Sequence, residues 1–545
     1  MKVNLKAKRL SLSMGKKLTV FMFIMPGAIS VNTSFDYIYS PYQTLQSSAG
    51  NHHKTLQRDT GKNASHVSEG FHYQPPKVKS INTIEDLKTA LKTAAPGDLL
   101  LMADGQYEVK TDIEVSAQGK SGAPIIIAAA RNGQVILTGK GGFVIKKPAA
   151  YIEIRGFVFK NASSSIVSEP GSSHSRWTHN VFETIGDGND LTIAADNQEV
   201  DHNTFINKDA MGRFLAIRGQ GSQIAKDLWI HHNYFAHFKD QGGKNGAEAF
   251  QFGLSGYSMS TSNSLVEHNL FEDCNGEAEL ISVKASGVTL RYNTFRDNKA
   301  QFTLRHGNHC NVYGNYFFNT PGIRVFGDDH RIYSNYFENC PLAIQIGNGD
   351  GEVADGAKLT CHDRPDRIFI GFNTLINNKT GFFFGRRKRG LGATDIQITG
   401  NLIQGGGAVA TIQQGGGHIL RPIWTDNVYY AVGGPGDLPL GDNPPVVSGN
   451  REENPKLISS AQKHKKQRGE KQKTLAVLHL SKNSPALIIG SKVPTFFIKS
   501  QPTDIDGQPR KGKLMIGADQ RADVPKINYP LIRPAPGEVG ITQNK

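Results

Sequence analysis

Polar and apolar positions through the middle of the chain repeat around one short unit: an Asn, any residue, then an aromatic or aliphatic one. The unit reads Asn180-Val-Phe182, Asn203-Thr-Phe205, Asn233-Tyr-Phe235, Asn269-Leu-Phe271 and Asn293-Thr-Phe295. It continues as Asn315-Tyr-Phe317, Asn335-Tyr-Phe337, Asn373-Thr-Leu375, Asn401-Leu-Ile403 and Asn427-Val-Tyr429. Intervals run from 20 residues (Asn315 to Asn335) to 38 (Asn335 to Asn373), and each holds short β-branched and aromatic runs broken by Gly, Asn and Asp. Such a period predicts a solenoid of strands, because one unit cannot bury its apolar side without the next. The predicted fold is all-β, a right-handed parallel β-helix. Each Asn is expected at a turn, tolerating the left-handed conformation and bonding to its equivalents on neighbouring coils. The ring two places on is expected to stack inside. Helical spacing over Ile81 to Ala95 (Ile84, Leu87, Leu91), ahead of Pro96-Gly97-Asp98, predicts a helix capping the open first coil.

The flanks differ in character. Residues 1–30 carry a basic stretch (Lys6, Lys8, Arg9, Lys16, Lys17), an apolar run from Leu18 to Met25, then small residues around Ala28 and Ser30. That order predicts a secretory signal and a secreted or periplasmic protein. Residues 31–77 are polar and patternless, a flexible leader. Residues 78–525 form the β-helix catalytic domain, with last coils near Ile516, and 526–545 a C-terminal tail. No second membrane-spanning segment is predicted, and the chain is expected to act as a monomer. The run Lys463 to Lys473 reads as a solvated basic loop. Cys274 and Cys340, three coils apart, are too distant to pair and read as buried small hydrophobes; Cys340 with Cys361 stays open.

Charge narrows the partner. A formal net charge of +14, with no nucleic-acid motif and no basic amphipathic helix, points to an acidic polymer such as a polyuronate or sulfated glycan. Arg213, Arg218, Lys244, Arg324 and the run Arg386-Arg387-Lys388-Arg389 supply the basic surface. Counted from the ladder, Asn245 lies twelve residues past Asn233, Glu277 and Glu279 eight and ten past Asn269, and Arg305 twelve past Asn293. Consecutive coils therefore bring an amide, two acids and an arginine to one patch, with Lys284 just beyond. On a strand Glu277 and Glu279 share a face, with Ala278 packed inward. Cleaving a polyuronate without water removes the C5 proton and expels the C4 oxygen, which requires the adjacent carboxylate to be neutralised. Asn245, Glu277 and Glu279 are oxygen donors suited to Ca2+. Lys284 is then the natural base, its neutral form favoured by the cation and Arg305. Arg305 stabilises developing negative charge, and His306 stands beside it.

The stretch Glu277-Ala-Glu279-Leu-Ile-Ser-Val-Lys284, with Thr303-Leu-Arg305-His306-Gly-Asn308, resembles the active-site motifs of polysaccharide lyase family six, the alginate lyase and chondroitinase B family. Weaker likeness extends from Ile81-Asn-Thr-Ile-Glu-Asp-Leu87 to Asp504-Ile-Asp-Gly-Gln-Pro-Arg510 and Ile516-Gly-Ala-Asp-Gln520. The resemblance implies a calcium-dependent lyase with Lys284 as Brønsted base, Arg305 as acid or charge stabiliser, and Asn245, Glu277 and Glu279 as calcium ligands. Arg386 and Arg387 resemble the family's paired substrate arginines. Arg218, Arg324 and His306 are placed as further substrate contacts. Alginate is favoured over dermatan sulfate. An alginate C5-epimerase and a non-catalytic glycan-binding β-helix remain as rivals, the first producing no unsaturated ends and the second needing no lysine beside a cation site.

Overall fold

Each coil consists of three short strands joined by two tight turns and one looser connection. In one coil these are Leu265–Glu267, Leu270–Cys274 and Glu279–Lys284. The computed structural model describes residues 77–387, 389–413, 418–437, 446–460, 475–486, 493–500, 502–520 and 526–541. The predicted signal, the predicted leader up to residue 76, and the basic run Lys463 to Lys473 lie outside them. Stacked coils build three parallel sheets of 15, 14 and 13 strands, a right-handed parallel β-helix. Among the described residues no helix is long and apolar enough to cross a membrane.

The asparagines form a continuous buried column. From Asn203 on, Oδ1 of each accepts both the backbone N–H and the side-chain Nδ2–H of the Asn one coil earlier, as from Asn269 to Asn293 at 3.0 Å each. The column runs from Asn180 to Asn427 and takes in one further member, Asn450. The left-handed residue is not the Asn, as predicted, but the one before it: His179, His202, His232, His268 and Tyr292 have φ of +54°, +49°, +54°, +52° and +57°. Reversing the chain one step early aims the Asn amide inward, where it bonds up and down the stack. The displaced rings stack in turn, with centroids 5.0, 4.9, 5.1 and 5.3 Å apart. Inside, Phe182, Phe205, Phe235, Phe271, Phe295, Phe317 and Phe337 stack at 4.5–5.1 Å, as the pattern predicts.

The ends differ from the sequence reading. The capping helix is shorter, Ile84–Lys92, because Ile81 belongs to the strand Lys77–Ile81. Thr83 caps the helix by accepting the Asp86 N–H at 3.0 Å, and Leu87 and Leu91 are buried. The long sheets end at Gly434–Gly436, Val446–Ser448 and Arg451–Glu452, well before Ile516. The later segments return along the outside of the 14-stranded sheet. There Phe497, Ile505 and Ile516 bury the outward Tyr316, Phe318 and Tyr336. Further back, Arg533 meets Glu272 at 2.9 Å and the Ile541 N–H reaches the His232 carbonyl at 2.8 Å. All four cysteines are free; Cys274, Cys310 and Cys340 are buried and Cys361 partly so.

Two outcomes follow from the column and the ring stack. Asn293→Ala leaves the Asn269 donors without their acceptor, so it should lower stability by about 2–4 kcal/mol, read as a drop in denaturant midpoint. A midpoint equal to wild type would contradict the column's role. Burial, then neighbouring histidines, pushes His232 down to about 2; burial also pushes His268 down to about 4. The unfolded chain thus binds more protons below the ordinary value of 6.5, and stability should fall as pH drops through that value. His232→Gln should lose part of the decline between about pH 7 and 5; an unchanged pH dependence would contradict this.

Candidate active site

The long ladder intervals locate the site. Intervals of 30, 36 and 38 residues exceed the short coils of 20–24. Much of the surplus leaves the edges of the 13-stranded sheet, at 239–249 before the strand Phe250–Phe252, at 253–264 after it, and at 347–368 after Ile344–Ile346. Phe250, Ile281, Phe302 and Ile323 face the core in register. Gln251, Ser282, Thr303 and Arg324 therefore form the outward row between those insertions.

Two irregularities aim the chemistry. Where Glu279–Lys284 pairs with Gln301–His306, the register slips at Leu280 and again at Arg305. In a regular strand Glu279 and Lys284, five apart, would face opposite sides. The extra residue Leu280 is fully buried, so both polar residues emerge on the outer face. Glu277 precedes the strand on a bend, and Ala278 is exposed rather than packed inward; the apolar residue of this stretch that reaches the core is Leu280.

Three carboxylates converge there, Glu248, Glu277 and Glu279, each with an oxygen within 4.8 Å of the others. Glu248, 2% exposed, is the hub. It accepts from Arg213 Nε at 2.9 Å and Gln251 Nε2 at 2.5 Å, and Lys284 Nζ stands 3.4 Å away. Burial alone would raise the Glu248 carboxyl, but Arg213 and Lys284 outweigh it and hold it below the ordinary range. Among the described residues Glu277 receives only the Gly246 N–H, at 3.0 Å. Burial, followed by repulsion from Glu248 and Glu279, pushes it up to about 7. Glu279 accepts from Ser282 at 2.5 Å, is bonded by Arg324, and has Arg305 Nε at 3.6 Å.

A second cluster adjoins this one. The Arg305 and Arg324 guanidinium carbons lie 5.8 and 5.7 Å from the Phe326 ring centre. His362 packs against the same ring at 4.8 Å, and Asp350 joins His362 to Arg387. Burial, then Arg324 and Arg387, lowers Arg305 against the pull of Glu279, and Arg305 Nη1 is buried without a hydrogen-bond partner.

The structure thus brings Glu277, Glu279, Lys284, Arg305 and Arg324 together. Arg218 reaches the patch through Gln251, donating to its Oε1 at 2.6 Å. Asn245 is exposed, immediately before the Gly246 whose N–H holds Glu277. Arg387 is tied to Asp350, whereas Arg386 is exposed. His306 pairs with Lys284 in the register and is 3% exposed; burial, then Arg305 and Lys284, pushes it down to about 3, so the ring is neutral. Glu248, Asp350 and His362 escaped the sequence reading because they sit in insertions, where offset from the ladder carries no positional meaning.

The acid cluster fits a divalent cation. Its donors are all oxygen, and Glu277 carries a charge that its protein neighbours leave poorly compensated. Residues 81–390 match the chondroitinase B family. No curated protein matches the sequence. Among solved structures the chain is similar to the PL6 family alginate lyase AlyGC, at 26% identity and a TM-score of 0.61 over 71% of this chain. It spans about half of AlyGC, 54% of that chain. It is similar in fold to a mannuronic acid specific family 6 lyase from human gut microbiota, at 24% identity, TM-score 0.57, 65% of this chain and 86% of that one. Alginate lyase AlyF-OU02, solved in complex with G6, gives 18%, 0.57, 72% and 92%.

Removing the hub should be costly. Glu248→Ala leaves the half-buried Arg213 and Lys284 without their shared acceptor and should lower stability by about 2 kcal/mol, measured by denaturant unfolding. A midpoint unchanged from wild type would show that Glu248 is not holding these groups.

Proposed function

The chain belongs to the chondroitinase B family, polysaccharide lyase family 6, and on that premise we propose that it is a calcium-dependent lyase that cleaves alginate by β-elimination. The observation that carries the reading is Lys284, turned by the Leu280 bulge onto the same outer face as Glu277 and Glu279, with Arg305 one coil on. A lysine beside a cation-binding acid cluster exceeds what polymer binding requires.

Each residue then has a defined task. Asn245, Glu277 and Glu279, joined by Glu248, would hold the ion. Bound calcium would neutralise the uronate carboxylate and so acidify C5–H. The neutral form of Lys284, which a cation held in the acid cluster would favour, takes that proton at Nζ; the electron pair forms the C4=C5 double bond as the C4–O bond breaks, leaving an unsaturated uronate at the new non-reducing end. Glu248 orients the lysine. Arg305 remains a cation and offsets charge developing on the sugar. Neutral, buried His306 is poorly placed to protonate the leaving oxygen, so solvent supplies that proton. Arg218, Arg324, Arg386 and Arg387 line the path of an anionic chain, which suits a partner opposite in sign to the net charge of +14. A polymer of this kind does not cross membranes, and the basic-then-apolar start of the sequence fits export to meet it.

Alginate is favoured by the Thr303–Asn308 motif and by the activities named for AlyGC and AlyF-OU02. The family's own name keeps dermatan sulfate as the second reading. Ultraviolet absorbance of unsaturated product separates the two. It should rise on alginate, vanish on chelation, return with calcium, and fall by about 100-fold or more for Lys284→Ala with the fold intact. A rise confined to dermatan sulfate would overturn the substrate. Activity that survives exhaustive chelation would overturn the metal's role, and a near-wild-type Lys284→Ala would overturn the base.

A further inference from the structure

The longest insertion, between Ile346 and Phe369, carries a side-chain pair with no part in the chemistry above. Asp350 Oδ1 accepts the His362 backbone N–H at 2.7 Å, and its Oδ2 lies 3.1 Å from His362 Nδ1. The same Oδ2 lies 3.1 Å from Arg387. Phe326 packs against the imidazole at 4.8 Å, so the ring is held by an aromatic neighbour and at one nitrogen. Its other nitrogen, Nε2, has no hydrogen bond to any described residue and is open to solvent; the side chain is 21% exposed.

The tautomer follows from the neighbours. Burial would raise Asp350, but the His362 N–H groups and Arg387 outweigh it and keep the carboxylate ionised, so it can only accept. Nδ1 therefore carries the proton. Burial, then the charges of Arg305 and Arg387, pushes His362 down to about 4, against the pull of Asp350. At neutral pH the ring is uncharged and Nε2 presents a lone pair. The arginines on this wall, Arg305, Arg324 and Arg387, are donors without acceptor capacity, and the Asp350 oxygens are taken up by His362 and Arg387. They suit carboxylates; a sugar also presents hydroxyls, which need an acceptor.

We propose that His362, held by Asp350, touches the polysaccharide and accepts a hydrogen bond from a sugar hydroxyl through Nε2. The proposal rests on the lyase reading and deepens it. A sulfate at that hydroxyl would set acceptor oxygens against an acceptor nitrogen, so His362 selects a sugar with a free hydroxyl there.

The test compares wild type, His362→Ala and His362→Gln for alginate cleavage. It adds calorimetric binding of an alginate oligosaccharide to Lys284→Ala protein with and without His362→Ala. Losing one hydrogen bond should lower kcat/KM about tenfold, chiefly through KM, and weaken oligosaccharide binding by a similar factor. Glutamine, whose Oε1 accepts, should recover most of the loss. Three results would overturn the proposal: an alanine variant that binds and cleaves like wild type, a glutamine variant no better than alanine, or a fall in kcat at constant KM, which would assign His362 to proton transfer. A wild type that neither binds nor cleaves alginate would instead remove the lyase reading, and this proposal with it.

Discussion

A column of fully buried asparagine side chains sets everything else in this fold. An amide inside an apolar stack is costly unless all its groups are bonded. Here each Oδ1 from Asn203 on takes two donors from the coil before, and each Nδ2 reaches a backbone carbonyl as well. That arrangement is satisfied in only one register. A slip by one residue would unpair the column and turn the phenylalanine stack outward. Coils of unequal length can therefore share one register, because the column ties them at one corner and lets the others vary.

The site exploits that freedom. Insertions lie along the edges of one sheet, and the register holds their roots in place while two bulges rotate the functional residues outward. The electrostatics are divided accordingly. Acids gather around Glu277, where burial and like charge push the carboxyl up to about 7. Arginines gather around Phe326, where burial and mutual repulsion act on Arg305. A cation on the first side and a polyanion on the second would each relieve what the protein alone leaves unbalanced.

Much of this was legible in the sequence, for a physical reason in each case. The Asn-x-aromatic unit exposes the period because the column admits no substitute amide geometry, and counting from it placed Glu277, Glu279, Lys284 and Arg305 together. Counting could not reveal the bulge at Leu280, since a buried leucine looks the same in or out of register. Nor could it show that the left-handed turn residue is the one before the Asn, a histidine in four of the coils. His306 stands opposite Lys284 in the register, and its burial could not be read from its adjacency to Arg305. Glu248, Asp350 and His362 lie in insertions with no repeat to index them. The return segment after Glu452 had one unread signal, the outward Tyr316, Phe318 and Tyr336, which require a cover.

The most direct test is a crystal structure of Lys284→Ala protein grown with calcium and an alginate tetrasaccharide. The account predicts an ion among Glu277, Glu279 and their neighbours, a uronate carboxylate on that ion, and C5 of the same sugar facing the truncated position 284. An oligosaccharide bound along another sheet, or seated on this one with C5 turned away from position 284, would contradict it.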